Sequence, residues 1–94
     1  MKISKRKSNP YIEKKIDKNS YIRIFSKNTN DIDLAWHRDK ENRTIEIISG
    51  KDWKFQYDNY LPVNIEPGYK ILINKNEWHR IIKGSTDLII IVHK

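Results

Sequence analysis

The sequence contains no cysteine, which removes two common ways of holding a small protein together. Neither a disulfide framework nor a thiolate metal site is available, so a secreted disulfide-rich scaffold is excluded. With 94 residues, the chain has the length of a single domain and can build one compact core. The lack of thiols suits a reducing compartment, and we therefore expect a cytoplasmic protein.

Long apolar segments are missing as well. The basic N-terminus MKISKRKSNP has no apolar segment behind it. No run approaches the roughly 20 apolar residues that a membrane helix requires. We therefore expect neither a targeting signal nor a membrane partner.

Acidic residues are outnumbered, with 12 Asp plus Glu against 19 Lys plus Arg and a formal net charge of +7. Residues 1–20 hold seven basic and two acidic side chains, which leaves twelve basic and ten acidic ones for the rest. A basic excess raises nucleic acid as a partner, but a charge concentrated in a tail argues against a dedicated nucleic-acid protein. We interpret 1–19 as a basic N-terminal segment, partly flexible or packed on the barrel, and 20–94 as the domain.

Helical periodicity is absent from residue 20 onward, where short runs of aromatic and β-branched residues alternate with turn residues. Residues 11–16 are too few and too charged to assign. About eight short strands at this spacing predict an all-β sandwich or barrel. The predicted strands cover 20–25, 32–37, 44–48, 53–57, 61–65, 69–73, 78–82 and 88–93.

The last predicted strand is apolar on both faces, from Leu88 to Val92. This pattern is typical of a strand covered on one side by the opposing sheet and on the other by further protein. The N-terminal segment or a second subunit would provide that cover. We expect a homodimer.

One tripeptide occurs twice: Trp36-His37-Arg38 recurs as Trp78-His79-Arg80, 42 positions later. Each copy lies in a similar strand–turn–strand context. His37 and Asp39 are two apart on a predicted strand, so their side chains share a face and can converge on one ion. Strand alternation places Trp36 and Trp78 opposite the histidines. We expect these two and Trp53 to lie in the core or in a dimer interface.

The second half of the chain resembles the second sequence motif of the cupin superfamily. The Pro67-Gly68 turn precedes a strand, a second turn and His79, with Asn74 and Asn76 standing where Pro and Gly are usual. Asparagine tolerates turn geometry and positive φ, so this departure is physically mild. The segment ending in Leu88–Val92 looks similar to the cupin domain of mannose-6-phosphate isomerase-type proteins.

The first half is similar to the first cupin motif, with departures. His37 takes the first histidine position and Asp39 the second; counting back from Gly50, Arg43 stands at the glutamate position, with Glu41 two residues earlier. The resemblance covers roughly residues 20–93. It implies a small double-stranded β-helix, a jelly-roll-like barrel built from two halves.

The same resemblance implies a site at the mouth of the barrel, where His79 would face His37 and Asp39. Two imidazoles and one carboxylate suit Fe, Mn, Ni or Zn and leave positions open, whereas no nucleotide or flavin cofactor is expected. An inward Arg43 would either pair with a carboxylate and repel a cation or hold a small anionic ligand, such as a sugar phosphate. We assign ligand binding to Glu41, Arg43 and Gln56.

Three functions remain open at this point. The first is a metal- or anion-binding cupin, which as an enzyme would be a metal-dependent isomerase or oxygenase. The second is a non-catalytic binding or regulatory module, a dimeric scaffold whose basic tail contacts nucleic acid or an acidic partner. The third is a structural dimer with an empty barrel. We expect His93 to be a surface residue.

Overall fold

The computed structural model describes residues 11–30 and 34–94. Within these ranges no helix has the length and apolar character needed to cross a membrane. All strand pairings are antiparallel. The described residues form eight strands: β1 (Tyr11–Asp17), β2 (Ser20–Phe25), β3 (Arg43–Ser49), β4 (Lys54–Tyr57), β5 (Val63–Asn64), β6 (Lys70–Ile73), β7 (His79–Ile82) and β8 (Leu88–His93).

The strands form two sheets around one core. The larger sheet has the order β1-β2-β8-β3-β6, and the smaller has the order β5-β4-β7. Both sheets contribute buried side chains to a single apolar cluster, so the all-β prediction is confirmed as a two-layered barrel. The most deeply buried side chains of this cluster are Ile47, Trp53, Leu88 and Val92.

The two sheets are also joined by a polar contact at one end. The Tyr57 hydroxyl of β4 donates a hydrogen bond to the backbone carbonyl of Leu72 in β6. Burial raises the pKa of Tyr57, and the nearby Glu77 carboxylate acts in the same direction. The phenol therefore stays protonated and available as a donor over the physiological pH range.

Strand β8 lies at the centre of the larger sheet, between β2 and β3. Leu88, Ile90 and Val92 point into the core, whereas Ile89 and Ile91 on the other face are half-buried. The outer apolar face of this strand is thus only partly covered within the single chain. The expected homodimer stays a prediction, since the structure is of a single chain.

Residues 11–16, which the sequence pattern left unassigned, belong to the edge strand β1, which extends to Asp17. This strand pairs with β2 from Tyr11 opposite Phe25 to Asp17 opposite Ser20. Most of its side chains are exposed, so backbone hydrogen bonds hold it in place more than burial does. Residues 11–17 thus extend the larger sheet, while residues 1–10 lie outside the described residues. The division of the chain into a segment 1–19 and a domain 20–94 stays a prediction.

The strand predicted at 32–37 does not form as a continuous element. Ile32 and Asp33 lie outside the described residues. Beyond them, Leu34 is buried and His37 forms an isolated bridge to His79 at the edge of β7. The strand predicted at 61–65 shortens to β5 because Leu61 is 85% exposed and Ile65 alone reaches the core.

The three tryptophans occupy different environments. Trp53 is fully buried, and its indole N–H donates to the Thr86 carbonyl at 2.7 Å, so its predicted place in the core is confirmed. Trp36 and Trp78 are 38% and 43% exposed, so they do not lie in the core, and their alternative place in a dimer interface stays a prediction. Each is covered by an arginine from the other copy of the repeat, because the copies pair antiparallel. Arg80 lies over the Trp36 ring at 4.8 Å and Arg38 over the Trp78 ring at 5.1 Å.

Candidate metal centre

The two repeated histidines are direct backbone partners. The His37 N–H donates to the His79 carbonyl at 3.0 Å, and the His79 N–H donates to the His37 carbonyl at 2.9 Å. Side chains of such an antiparallel pair lie on the same face of the sheet. The imidazole centroids are 4.3 Å apart, with the rings tilted by 63°. The predicted meeting of one histidine from each half is therefore present.

A turn next to β7 positions the carboxylate of the site. Asn76 has a φ of 65°, the left-handed conformation that asparagine tolerates, and its N–H donates to the Asp39 carbonyl at 2.7 Å. The neighbouring Lys75 N–H donates to Asn42 Oδ1 at 2.8 Å. Together these bonds hold residues 39–42 against the turn and keep Asp39 beside His79.

The side chains of His37, Asp39 and His79 form a compact donor set. Their potential ligand atoms all lie within 4.8 Å of one another. Asp39 Oδ2 is 3.6 Å from His79 Nε2, a separation that suits two adjacent ligands of one ion. Metal–ligand bonds of about 2.0–2.2 Å would require only small movements of these side chains. The cluster can therefore hold a divalent cation.

Backbone carbonyls set the tautomers of both rings. His79 Nδ1 is 2.8 Å from the Glu77 carbonyl, and a carbonyl only accepts, so Nδ1 carries the hydrogen. His37 Nδ1 makes the equivalent contact to Ala35, also two residues earlier, at 3.4 Å. Both rings then present Nε2 with an available lone pair. This outer-shell arrangement is typical of metal-binding histidines.

His79 is also held in its neutral form. Its side chain is buried, and the Phe55 ring stacks on it with centroids 5.8 Å apart. This burial lowers the pKa of His79, although the bond to the Glu77 carbonyl opposes the shift. Nearby His37 and Arg43 lower the pKa further, and Asp39 raises it. Since neutral imidazole is the ligating form, protons compete less with a metal at this ring.

Arg43 lies on the inward face of β3 together with Ile45 and Ile47, as the two-residue period of a strand requires. Its Nη1 is 3.8 Å from Asp39 Oδ1, so the ion pair expected for an inward arginine forms with Asp39. Its Nε is buried and has no hydrogen-bond partner among the described residues. A guanidinium in this state has unused capacity to bind an anion.

A cavity of about 480 Å³ connects these groups, and its lining includes His37, Asp39, Arg43 and His79. The other two residues that we assigned to ligand binding lie elsewhere. Glu41 is exposed and does not line the cavity. Gln56 lies on the other face of β4 from Phe55.

The Gln56 amide has partners of its own. Its Oε1 accepts a hydrogen bond from Arg80 Nε at 2.9 Å, and its Nε2 donates to the Tyr60 carbonyl at 2.8 Å. The structure therefore brings together four of the six residues that the sequence singled out. The role of Glu41 and Gln56 in ligand binding stays a prediction.

Sequence reasoning overlooked the apolar residues that shape the site. Phe55 supports the His79 ring, and Ile45 and Ile71 form cavity wall. The alternation of residues along β3 and β4 could have predicted which side chains face the cavity. Arg43 lies on the same face of its strand as Ile45, whereas Gln56 lies on the opposite face from Phe55.

No protein-family model matches the chain, and no curated protein matches it either. Several solved structures are similar to it. An RmlC-like cupin family protein with a double-stranded β-helix fold from Methanocaldococcus jannaschii aligns with a TM-score of 0.68 at 15% identity, over 97% of this chain and 85% of that one.

Two further matches are parts of larger proteins. A structure of the DMSP lyases RdDddP and RnDddQII aligns with a TM-score of 0.67 at 16% identity, over 78% of this chain. The Fe(II) form of HppE in complex with substrate aligns with a TM-score of 0.65 at 12% identity, over 98% of this chain. The aligned part spans 35% of the lyase chain and 57% of the HppE chain. The protein therefore has the double-stranded β-helix fold of the cupins, as the repeated histidine motif predicted.

Proposed function

We propose that this protein binds one divalent transition-metal ion through His37, Asp39 and His79 and presents it to a small anionic molecule in the cavity. The observation that carries this proposal is the convergence of one imidazole from each half of the molecule beside a carboxylate, with ligand atoms within 4.8 Å of one another. The cavity of about 480 Å³ next to these residues falls within the range of small-molecule sites.

The chemistry of the donor set indicates which metals suit it. Two imidazoles and one carboxylate are ligands for Fe, Mn, Ni or Zn, and three protein ligands leave coordination positions open. The similar structure of HppE supports this choice, because it is an Fe(II) form in complex with substrate. When bound, the metal would supply Lewis-acid activation of a coordinated group.

The charges around the cavity favour an anion as the second ligand. A divalent ion brings two positive charges, Arg43 adds a third, and Asp39 offsets only one of them. Uncompensated charge in a partly buried site is costly, and an anion that contacts both the ion and the guanidinium reduces this cost. The ligand would thus complete a site that the protein leaves electrostatically unbalanced.

Replacing Asp39 with asparagine tests the proposal, because it removes the anionic ligand and keeps the side-chain shape. Calorimetric titration of chelator-treated protein with Co(II), Mn(II) or Zn(II) should show one ion per chain. We expect Asp39→Asn to lower the affinity by at least about tenfold. The matched control is Glu41→Gln, at an exposed carboxylate outside the cavity, which should bind as the unaltered protein does.

Two results would contradict the proposal. One is a protein that takes up none of these ions at millimolar concentration. The other is equal loss of affinity in Asp39→Asn and Glu41→Gln, which would indicate weak binding to surface charge.

A further inference from the structure

We infer that the anionic ligand of this site is a carboxylic acid with an apolar body, an inference that rests on the proposed metal site. A sugar phosphate, which the sequence resemblance implied, fits the cavity less well. Three features of the cavity lead to this class: its walls, the free cationic donor found among its described lining residues, and the distribution of its polar groups.

The walls of the cavity are mostly aliphatic and aromatic. Among the described residues that line it there is no serine, threonine, asparagine or glutamine side chain, and no lysine. A sugar would lose the hydrogen bonds of its hydroxyl groups to water and find few replacements here. An alkyl or aryl group would instead gain from burial. The wall residues that would contact such a body include Ile45, Ile47, Ile65, Ile71, Ile73 and Ile90.

Arg43 is the cationic donor with free capacity. Its Nε is buried without a partner among the described residues, and its Nη1 reaches only Asp39, at 3.8 Å. The other arginine of the lining, Arg23, differs, because its Nε is 2.5 Å from a Glu13 carboxylate oxygen and its guanidinium lies over the Tyr11 ring. If Asp39 turns to a metal ion, Arg43 loses its remaining partner. A ligand carboxylate would restore one.

The number of donors favours a carboxylate over a phosphate. The planar fork of a guanidinium matches the two oxygens of a carboxylate, and the open positions of the metal can take one of them. A phosphate monoester presents three acceptor oxygens and close to two negative charges. One arginine and one metal ion would leave part of the phosphate's charge and some of its acceptor oxygens without a partner inside the apolar cavity.

All polar groups of the proposed site lie near the repeat and the start of β3, namely His37, Asp39, Arg43 and His79. Beyond them the lining from both sheets is mostly aliphatic and aromatic. Its other polar groups include Arg23, which pairs with Glu13, and the Tyr11 hydroxyl. A ligand that enters with its charged group toward Arg43 would therefore place its remaining atoms against hydrocarbon. This polarity favours one orientation of the ligand and the class of apolar carboxylic acids.

A homologous series of fatty acids from acetate to hexanoate provides the test, measured by calorimetry on the Zn(II)-loaded and the metal-free protein. If the body is buried in the cavity, each added methylene should tighten binding by about fourfold until the cavity is filled. Neutral 1-hexanol should bind much more weakly than hexanoate, and mannose 6-phosphate should not compete with it.

Replacing Arg43 with methionine separates the carboxylate contact from the metal. We expect Arg43→Met to weaken hexanoate binding by roughly ten- to a hundredfold while Zn(II) binding is retained, because a charge-assisted bond is lost and no metal ligand is removed. Arg38→Met is the matched control, since Arg38 lies over the Trp78 ring outside the cavity lining. Its hexanoate affinity should be unchanged.

The outcomes distinguish this inference from the proposed function. If Zn(II) binds but the affinity for fatty acids does not change with chain length, the carboxylic-acid class is overturned and the proposed metal site is not affected. Tight binding of mannose 6-phosphate together with Zn(II) binding would have the same consequence. Equal effects of Arg43→Met and Arg38→Met would also overturn it. Absence of metal binding would refute the proposed function, yet a fourfold step per methylene that depends on Arg43 in the metal-free protein would support the ligand class.

Discussion

Replacing His79 with alanine is expected to weaken binding of a divalent metal by more than about a hundredfold. Loss of an outer-shell partner costs roughly ten- to a hundredfold in metal affinity, and loss of a direct ligand should cost more. Of the three proposed ligands, His79 is the one whose position and protonation state best suit metal binding. It is 3% exposed, it is oriented by the Glu77 carbonyl at 2.8 Å, and its lowered pKa keeps it neutral. Calorimetric titration with Zn(II) or Co(II) measures the effect.

The chain supplies a matched control in its remaining histidine. His93 contacts Ser20 Oγ at 3.1 Å and Glu46 at 3.4 Å at the end of β8, and it does not line the cavity. Its imidazole is partly exposed, as expected for a residue near the surface. His93→Ala should therefore leave metal affinity unchanged. Equal loss in the two alanine variants would show that His79 has no special part in binding.

Replacing Trp53 with alanine should give the largest loss of stability, about 3–5 kcal/mol in the free energy of unfolding. The side chain has no exposed surface and packs against Phe25 with ring centroids 6.1 Å apart. Its indole N–H donates a hydrogen bond to the Thr86 carbonyl. Its removal would leave a cavity in a core that both sheets share. Urea denaturation followed by circular dichroism provides the measurement.

Two further variants keep this prediction testable if Trp53→Ala does not fold. Trp53→Phe retains most of the ring and loses the bond to Thr86, so it should lower the unfolding free energy by about 1 kcal/mol or more. Trp78→Ala removes an equally large but 43% exposed side chain, whose stacking with Arg38 is worth about 0.5–1 kcal/mol. A greater loss in Trp78→Ala than in Trp53→Phe would contradict the core described above.

The buried strands were predicted well from sequence. β3 and β4 bury alternate residues against the core, so their period of two is visible in the order of residues, whereas β2 and β8 were identified by their aromatic and β-branched residues. Edge strand β1 was not predicted, because its mostly exposed side chains show no alternation of apolar and polar residues. It pairs with β2 through backbone hydrogen bonds. Propensity alone does not identify a strand of this kind.

The segment around His37 shows the opposite error. Alternation of Leu34 and Trp36 indicated a strand there, whereas Trp36 is exposed and His37 alone bridges to β7. A single pair of backbone hydrogen bonds is enough to set the register that brings His37 opposite His79. The site was therefore predictable from the repeat even though the element that carries it was not.

Side-chain direction explains the remaining differences at the site. Arg43 shares the phase of Ile45 on β3 and points into the cavity, whereas Gln56 has the opposite phase to Phe55 on β4 and bonds to Arg80. The unpartnered Nε of Arg43 depends on the distance and angle to Asp39. No sequence pattern encodes such a distance, so the ligand class became visible only in three dimensions.

The most direct test of the central claim, that both halves of the molecule contribute to one metal centre, is anomalous diffraction from crystals grown with Zn(II). The account predicts one strong peak per chain, about 2.0–2.2 Å from the Nε2 atoms of His37 and His79 and from an Asp39 carboxylate oxygen. A peak bound instead between His93 and Glu46, or imidazoles of His37 and His79 that do not converge on any peak, would contradict it.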